Sequence, residues 1–241
     1  MTTQEFSTEF DVLYDNISSG QAPGLTEYEK SVFLTKAQSE IIKNYFNPQG
    51  NKYQEGFDDS PKRQIDFSML IRTTSCTSTT STVSLHDATN TVYYKIPSDI
   101  LVYINEFVEV TRDGKNIKLI AIPLSFKEYN KLMSKPFKRP SKHQVWRLMC
   151  NVSATDEVVQ LIPGPSDAIT GYTIRYVKRP TPIILESLSA DNLTIEGIST
   201  VSQCELDPIL HPEILQRAVE LAKAAYAGDL QSAIEVGKRS E

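Results

Sequence analysis

Cys204-Glu-Leu-Asp-Pro-Ile-Leu-His-Pro-Glu-Ile-Leu-Gln-Arg-Ala-Val-Glu-Leu-Ala-Lys-Ala-Ala-Tyr-Ala-Gly228 is the stretch that decides the fold. Pro212 suits the first turn of a helix and Gly228 its stop, so the helix is predicted over 212–227. Ile214, Leu215, Ala218, Val219, Leu221, Ala222, Ala225 and Tyr226 recur at helical spacing and make one broad apolar face. Alanine on that face lets a neighbouring helix approach closely. The best neighbour lies far upstream, between Thr26 and Phe46, and most of the chain between the two reads as strand.

Thr26 and Glu29 form a capping box in front of Val32, Phe33, Ala37, Ile41, Ile42, Tyr45 and Phe46, and Asn47-Pro48 stops the run. Before it, Thr2 and Glu5 cap a short helix with Phe6, Phe10, Leu13, Tyr14 and Ile17 on one face. That helix reads either as packed on its own domain or as an arm laid on another subunit. Gln49 to Arg63 is rich in Gly, Asn, Asp and Pro and reads as a loop, with Asp58-Asp59 a solvated turn.

Alternation starts at Gln64, a Ser/Thr tract (73–82) follows as a strand edge or loop, and Val92 to Ile96 and Ile100 to Arg112 read as strands. Asp113-Gly114 marks a type I′ hairpin into Ile117 to Ile122, because that turn needs positive φ at both central residues. Ser125 and Glu128 cap a short helix through Met133. Gln144–Asn151, Val158–Ile162 and Tyr172–Lys178 follow as strands of an antiparallel meander, and Lys178-Arg-Pro-Thr-Pro182 leaves the sheet because proline cannot continue a ladder. A strand pair is expected around 193–195 and 200–205, and a short helix or tail after Gly228.

The expected fold class is α+β: N-terminal and C-terminal helices packed as one helical layer, with an antiparallel β domain inserted between them. The domain reading is a 1–24 arm, 25–64 helix and loop, a 65–203 inserted β domain, and 204–241 completing the helical part. At 241 residues the chain can bury a sizeable core unaided. Three separated cysteines give neither a disulfide framework nor a zinc site and suit a reducing compartment. No apolar run reaches a membrane span, the first ten residues are unlike a secretory signal, and the sequons at Asn16, Asn151 and Asn192 read as chance matches.

The sequence supplies no enzyme motif: no nucleophile elbow, phosphate loop, dinucleotide turn or metalloprotease helix. No catalytic residue, cofactor or metal is expected. Of His86, His143 and His211, the last sits at a helix start, where a neutral imidazole is favoured over a cation. Pro163-Gly-Pro-Ser166 is a turn lacking the backbone donors of a phosphate cradle.

One charge feature stands out. Between Glu128 and Asp156 there is no acidic residue, while Lys131, Lys135, Lys138, Arg139, Lys142 and Arg147 are basic, in a chain of net charge −5. The plain reading is a solvated loop. The sharper one is a partner-binding surface of Lys135, Lys138, Arg139, Lys142, Trp146 and Arg147 that meets an acidic protein or a phosphate backbone; without a nucleic-acid motif, a protein is preferred.

Tyr93-Tyr-Lys-Ile-Pro-Ser-Asp-Ile-Leu101, Pro123-Leu-Ser-Phe-Lys-Glu-Tyr129, Lys138-Arg-Pro140, Val145-Trp-Arg-Leu148, Leu161-Ile-Pro163, Ile174-Arg-Tyr-Val-Lys-Arg-Pro-Thr-Pro182, Cys204-Glu-Leu206 and His211-Pro-Glu-Ile-Leu-Gln-Arg-Ala-Val-Glu-Leu-Ala222 occur in this order. With Leu25-Thr-Glu-Tyr-Glu-Lys-Ser-Val-Phe-Leu-Thr-Lys-Ala-Gln38, the series resembles the head-to-tail connector ring proteins of crAss-like phages of gut bacteria. The element order is more distantly similar to tail tubular protein A of short-tailed phages. The resemblance implies a virion protein without catalysis, made in the bacterial host cytoplasm. It would assemble as a dodecameric ring beneath the portal protein, beside other ring or tail proteins, with genomic DNA passing through its channel without sequence-specific binding. Other readings are a tail-hub or fibre-docking adaptor, a DNA-binding packaging or injection factor, and, last, a hydrolase with an unrecognised site.

Overall fold

The structure, a computed structural model, describes residues 1–18, 24–46, 61–80, 90–135, 137, 140–150 and 157–227. Helices and one large mixed sheet make it α+β. The chain divides into two compact units: 1–70 with 180–241, and 71–179. The second boundary lies earlier than the 203 expected from sequence. Pro180 ends the ladder as foreseen, but the chain beyond it joins the helical unit.

In the helical unit, α1 (Thr3–Ser18), α2 (Glu27–Phe46) and α5 (His211–Ala227) pack together, with a short α3 (Pro61–Asp66). Gln64–Asp66 is therefore helical rather than the start of a strand. Phe6, Phe10 and Tyr14 of α1 are buried against α2 and α5, so this helix packs on its own unit, the first of the two readings of it. A charged lock reinforces the packing. Lys30 of α2, buried, reaches Asp11 at 2.6 Å, Glu27 at 2.9 Å and Ser7 Oγ at 3.2 Å. Burial alone would lower its pKa, but the bonds to the two carboxylates raise it overall.

The other face of α2 buries a polar stripe that the apolar pattern hides. Ser31 Oγ accepts from Leu185 N–H (3.0 Å), Thr35 Oγ1 from Ile183 N–H (3.1 Å), and Gln38 Nε2 donates to the Thr181 carbonyl (3.0 Å). Successive contacts are four and three residues apart on the helix and two apart on the extended segment, about 4.5–6 Å against about 6.6 Å, near enough for each side chain to reach its backbone group. Single bridges, Ile184 of that segment with Ser202 and Ile195 with Ile198, stand in place of the expected strand pair. Ile184, Leu188 and Ile195 make a small core there.

The β unit is an eight-stranded sheet in the order β1-β8-β4-β5-β6-β7-β3-β2. Its strands are β1 (Ile71–Ser75), β2 (Thr77–Thr79), β3 (Val92–Lys95), β4 (Ile100–Arg112), β5 (Lys115–Pro123), β6 (Gln144–Met149), β7 (Val158–Ile162) and β8 (Ala168–Lys178). The two outermost strands are consecutive in the chain, separated only by Cys76, so the two ends of the sheet meet there and the sheet curls as a barrel around one core. Val108, Val110, Val145, Val159, Tyr172 and Ile174 fill the interior.

The sheet is not wholly antiparallel, as the sequence reading had it: β5 and β6 pair parallel, Ile120 with Gln144 through Pro123 with Arg147. Their connection contains α4 (Phe126–Met133), the crossover a parallel pair requires. Ser125 and Glu128 complete its capping box. The helix then lays Tyr129 on Trp146, Leu148, Cys150 and Ile162, which explains why β6 is buried on both faces. The Asp113-Gly114 turn forms as expected, with φ of 51° and 75°.

Of the loop expected over Gln49 to Arg63, Pro61–Arg63 instead begin α3, while 49–60 lie outside the described residues, as do 81–82 of the Ser/Thr tract and the tail from Gly228 onward.

Candidate functional site

The predicted basic surface separates into three groups. Lys135, just past the end of α4, and Lys142, in the turn before β6, are exposed. Lys138 and Arg139 lie outside the described residues. Trp146 and Arg147 are buried within the β unit, on opposite faces of β6, and neither offers its side chain to a partner surface there. The indole sits edge-on to Tyr129, ring centres 6.4 Å apart.

Arg147 shares the inward face with Val145 and enters the barrel. Its Nε lies 2.8 Å from Glu106 Oε2, an ion contact whose N–H is not aligned for a hydrogen bond, and its guanidinium stacks over Tyr103 at 4.6 Å. Tyr172 donates to the same carboxylate at 2.7 Å. Burial pushes the Glu106 carboxyl up, while Arg147 and the Tyr172 hydroxyl pull it back. Burial also lifts Tyr103 to about 12. This constellation is closed and internally paired. Alternation along Gln144–Met149 was the available signal, since it puts Arg147 on the same side as Val145.

A second pair fixes the barrel end beside Lys142. Arg112 grips buried Asp167 with Nε at 2.5 Å and Nη2 at 2.7 Å, and Nη2 also donates to the Lys142 carbonyl at 2.8 Å. The turn carrying Lys142 is thereby held against β4 and the loop before β8.

None of the described histidines or thiols is arranged for chemistry. His211 is buried, with Nε2 3.1 Å from the Leu206 carbonyl and Nδ1 2.6 Å from the Met1 nitrogen. Burial, then the Met1 charge, push its pKa below 6.5, so the neutral ring donates from Nε2. His143 is exposed and His86 lies outside the described residues. Burial raises the thiols of Cys76 and Cys204 to about 11, the reverse of an activated nucleophile. Among the described residues no cluster could hold a metal ion, and no helix is long and apolar enough to cross a membrane.

What remains open to partners is surface, and its charge is divided between the two units. The helical unit has 21 acidic and 10 basic residues, net −11; the β unit has 15 basic and 9 acidic, net +6. Around α4 of the β unit, Lys127, Lys131, Lys135 and Lys142 are all exposed, together with Phe126 and the fully exposed Phe137.

A sequence model of the family described as phage tail ring protein 3/4 matches residues 1–233. The chain belongs to that family. Ring protein 4/5 of Bacteroides phage crAss001 is 53% identical to this ring protein over 243 residues, covering 100% of both chains. Ring protein 3 of the same phage is 36% identical over 228 residues, covering 92% of this ring protein and 95% of the relative. A ring protein of a crAss-like phage is a structural component of the virion tail.

Proposed function

We propose that the chain is a non-enzymatic subunit of the head-to-tail connector, forming a closed dodecameric ring that docks below the portal, extends the DNA channel and gives the next tail component a platform. The end-to-end likeness to two phage ring proteins carries this reading. Physical requirements agree with it. Cyclic rings with more than two members use head-to-tail contacts, so each subunit presents two different surfaces, and oppositely charged units supply them. A net charge of −5 suits a conduit through which DNA moves without tight or sequence-specific binding. Of the six residues read from sequence as partner-binding, Lys135 and Lys142 take that role, with Lys138 and Arg139 beside them in the chain; Trp146 and Arg147 hold the fold that presents them.

The net +6 of the β unit favours a second reading, a DNA-binding packaging or injection factor. The deciding experiment is native mass and imaging of the purified chain, alone and mixed with the portal protein. A closed ring on the portal supports the connector role. A chain that ignores the portal but retards DNA in a salt-dependent manner, lost in K135E/K142E, supports the second. Binding to a tail-hub or fibre protein in place of the portal would move the subunit further down the tail.

A further inference from the structure

The apolar faces of α2 and α5 run past the core they share. Val32 (36% exposed) and Tyr226 (61% exposed) lie beyond the buried residues, and with Phe33 and Ala225 they line an open groove of about 350 Å³. Alanine at 222 and 225 is the reason for the hollow, since a methyl group leaves the space a leucine would fill. Tyr14 of α1 and Tyr28 of α2 also line it. Two exposed acids stand at the groove: Glu29, whose carboxylate also accepts from Thr26, is part of its lining, and Asp15 follows the lining residue Tyr14 on α1. Lys223, on α5, is committed to the Leu13 carbonyl at 3.0 Å.

The β unit carries a feature of the opposite kind. Phe137 is 101% exposed in a stretch without acids, between exposed Lys135 and Lys142, and the Arg112–Asp167 grip holds the Lys142 turn in place. An exposed phenylalanine flanked by cations is the kind of residue that is enriched at protein interfaces.

We propose that these two surfaces are the halves of the joint between neighbouring copies of this chain: Phe137 of one copy seats in the α2–α5 groove of the next, with Lys135 and Lys142 facing Asp15 and Glu29. The inference rests on the ring reading and adds to it which surfaces meet. A second copy is the favoured occupant because the acidic groove and the basic knob belong to the same chain, so every subunit offers one of each. Such contacts propagate head to tail and close by rotation. The segregation of −11 and +6 gives the same polarity to the approach of whole subunits.

The test uses the full chain with two one-sided variants, K135E/K142E and D15K/E29K, plus F137A, each checked for folding by circular dichroism. Assembly is followed by native mass, alone and with the adjoining tail proteins. F137A should weaken self-association roughly tenfold or more. Each one-sided variant should remain a subunit by itself. Mixed in equal amounts, the two should assemble, because every junction in an alternating ring then regains opposite charges. Misfolding cannot produce that rescue. Folded one-sided variants that multimerise like the native chain, or a folded pair that does not assemble when mixed, would overturn the joint while leaving the ring reading intact. Retention of self-assembly with loss of binding to an adjoining tail protein would also overturn it, assigning the knob to an axial contact. A native chain that forms no multimer with or without those proteins would overturn both the ring reading and the joint.

Discussion

Thr35 Oγ1 bonds both backbone groups of Ile183, accepting from its N–H at 3.1 Å and donating to its carbonyl at 3.3 Å. One hydroxyl thus satisfies the pair of groups that a neighbouring strand would otherwise satisfy. Ser31 and Gln38 extend the arrangement by one contact each way, so a helix face stands in for a strand and ties 180–185 to the helical unit. The segment could not lie buried against a purely apolar helix, because its donors and acceptors would be orphaned.

Thr35→Val keeps the side-chain shape and removes the hydroxyl. It should destabilise the helical unit by about 1–3 kcal/mol, the cost of leaving buried backbone groups unpaired. Thr35→Ser keeps the hydroxyl and should lose less. Urea unfolding followed by helical circular dichroism distinguishes the two, and equal losses for both would assign the effect to packing.

The locally encoded features were the legible ones. The Asp113-Gly114 turn and the capping boxes at Thr26/Glu29 and Ser125/Glu128 each depend on residues no more than three apart, and all form. The parallel β5–β6 pair was misread because strand patterning carries no direction. Only the length of the connection through α4 did, since an antiparallel neighbour needs no helix-length crossover. Thr35 was opaque for another reason: its partner is 148 residues away, and a polar residue on a helix reads as solvated until its neighbour is known. Arg147 was pooled with the exposed lysines by charge, although its strand position, alternate to Trp146, placed it inside the barrel.

Gly114 occupies φ of 75° with open space around its Cα, so a substitution meets backbone strain and no clash. Gly114→Ala should cost about 1 kcal/mol, and Gly114→Asn less, because asparagine tolerates the left-handed region. Thermal unfolding of the two variants checks the order. A larger loss for asparagine would mean that the turn is governed by contacts other than its own backbone.

His211 makes stability depend on pH in a defined direction. Its folded pKa lies below 6.5, first through burial and then through the Met1 charge, so the unfolded chain takes up the proton earlier. The contribution is fully present above 6.5 and is lost as pH falls through that value toward the lower folded one. Urea midpoints should therefore be insensitive to this group above about pH 7.5 and should fall by about pH 5.5. His211→Gln should be less stable at neutral pH but should show a flatter profile across that interval. An unchanged slope would mean that the proton is taken up elsewhere.

Glu106 and Arg147 offer the sharpest separation between stabilising and merely compensating interactions. Both are buried inside the barrel, and Glu106 also accepts from Tyr172, so removing one charge strands the other where water cannot reach it. Arg147→Met should cost about 3–5 kcal/mol at neutral pH, whereas E106Q/R147M, which removes both charges, should recover much of that loss. The sign with pH follows from the carboxyl: burial already raises its folded pKa above 4.5, and loss of the guanidinium removes the strongest influence pulling it back. A folded pKa above the unfolded one means that the native state holds the proton longer, so stability falls as pH rises from 4.5 through the folded value. The R147M deficit should accordingly shrink as pH is lowered toward 4.5, while the double variant shows no such relief. Unfolding of the β unit, read by Trp146 fluorescence at several pH values, tests this. A deficit independent of pH would assign the role of Arg147 to its stacking on Tyr103 rather than to its charge.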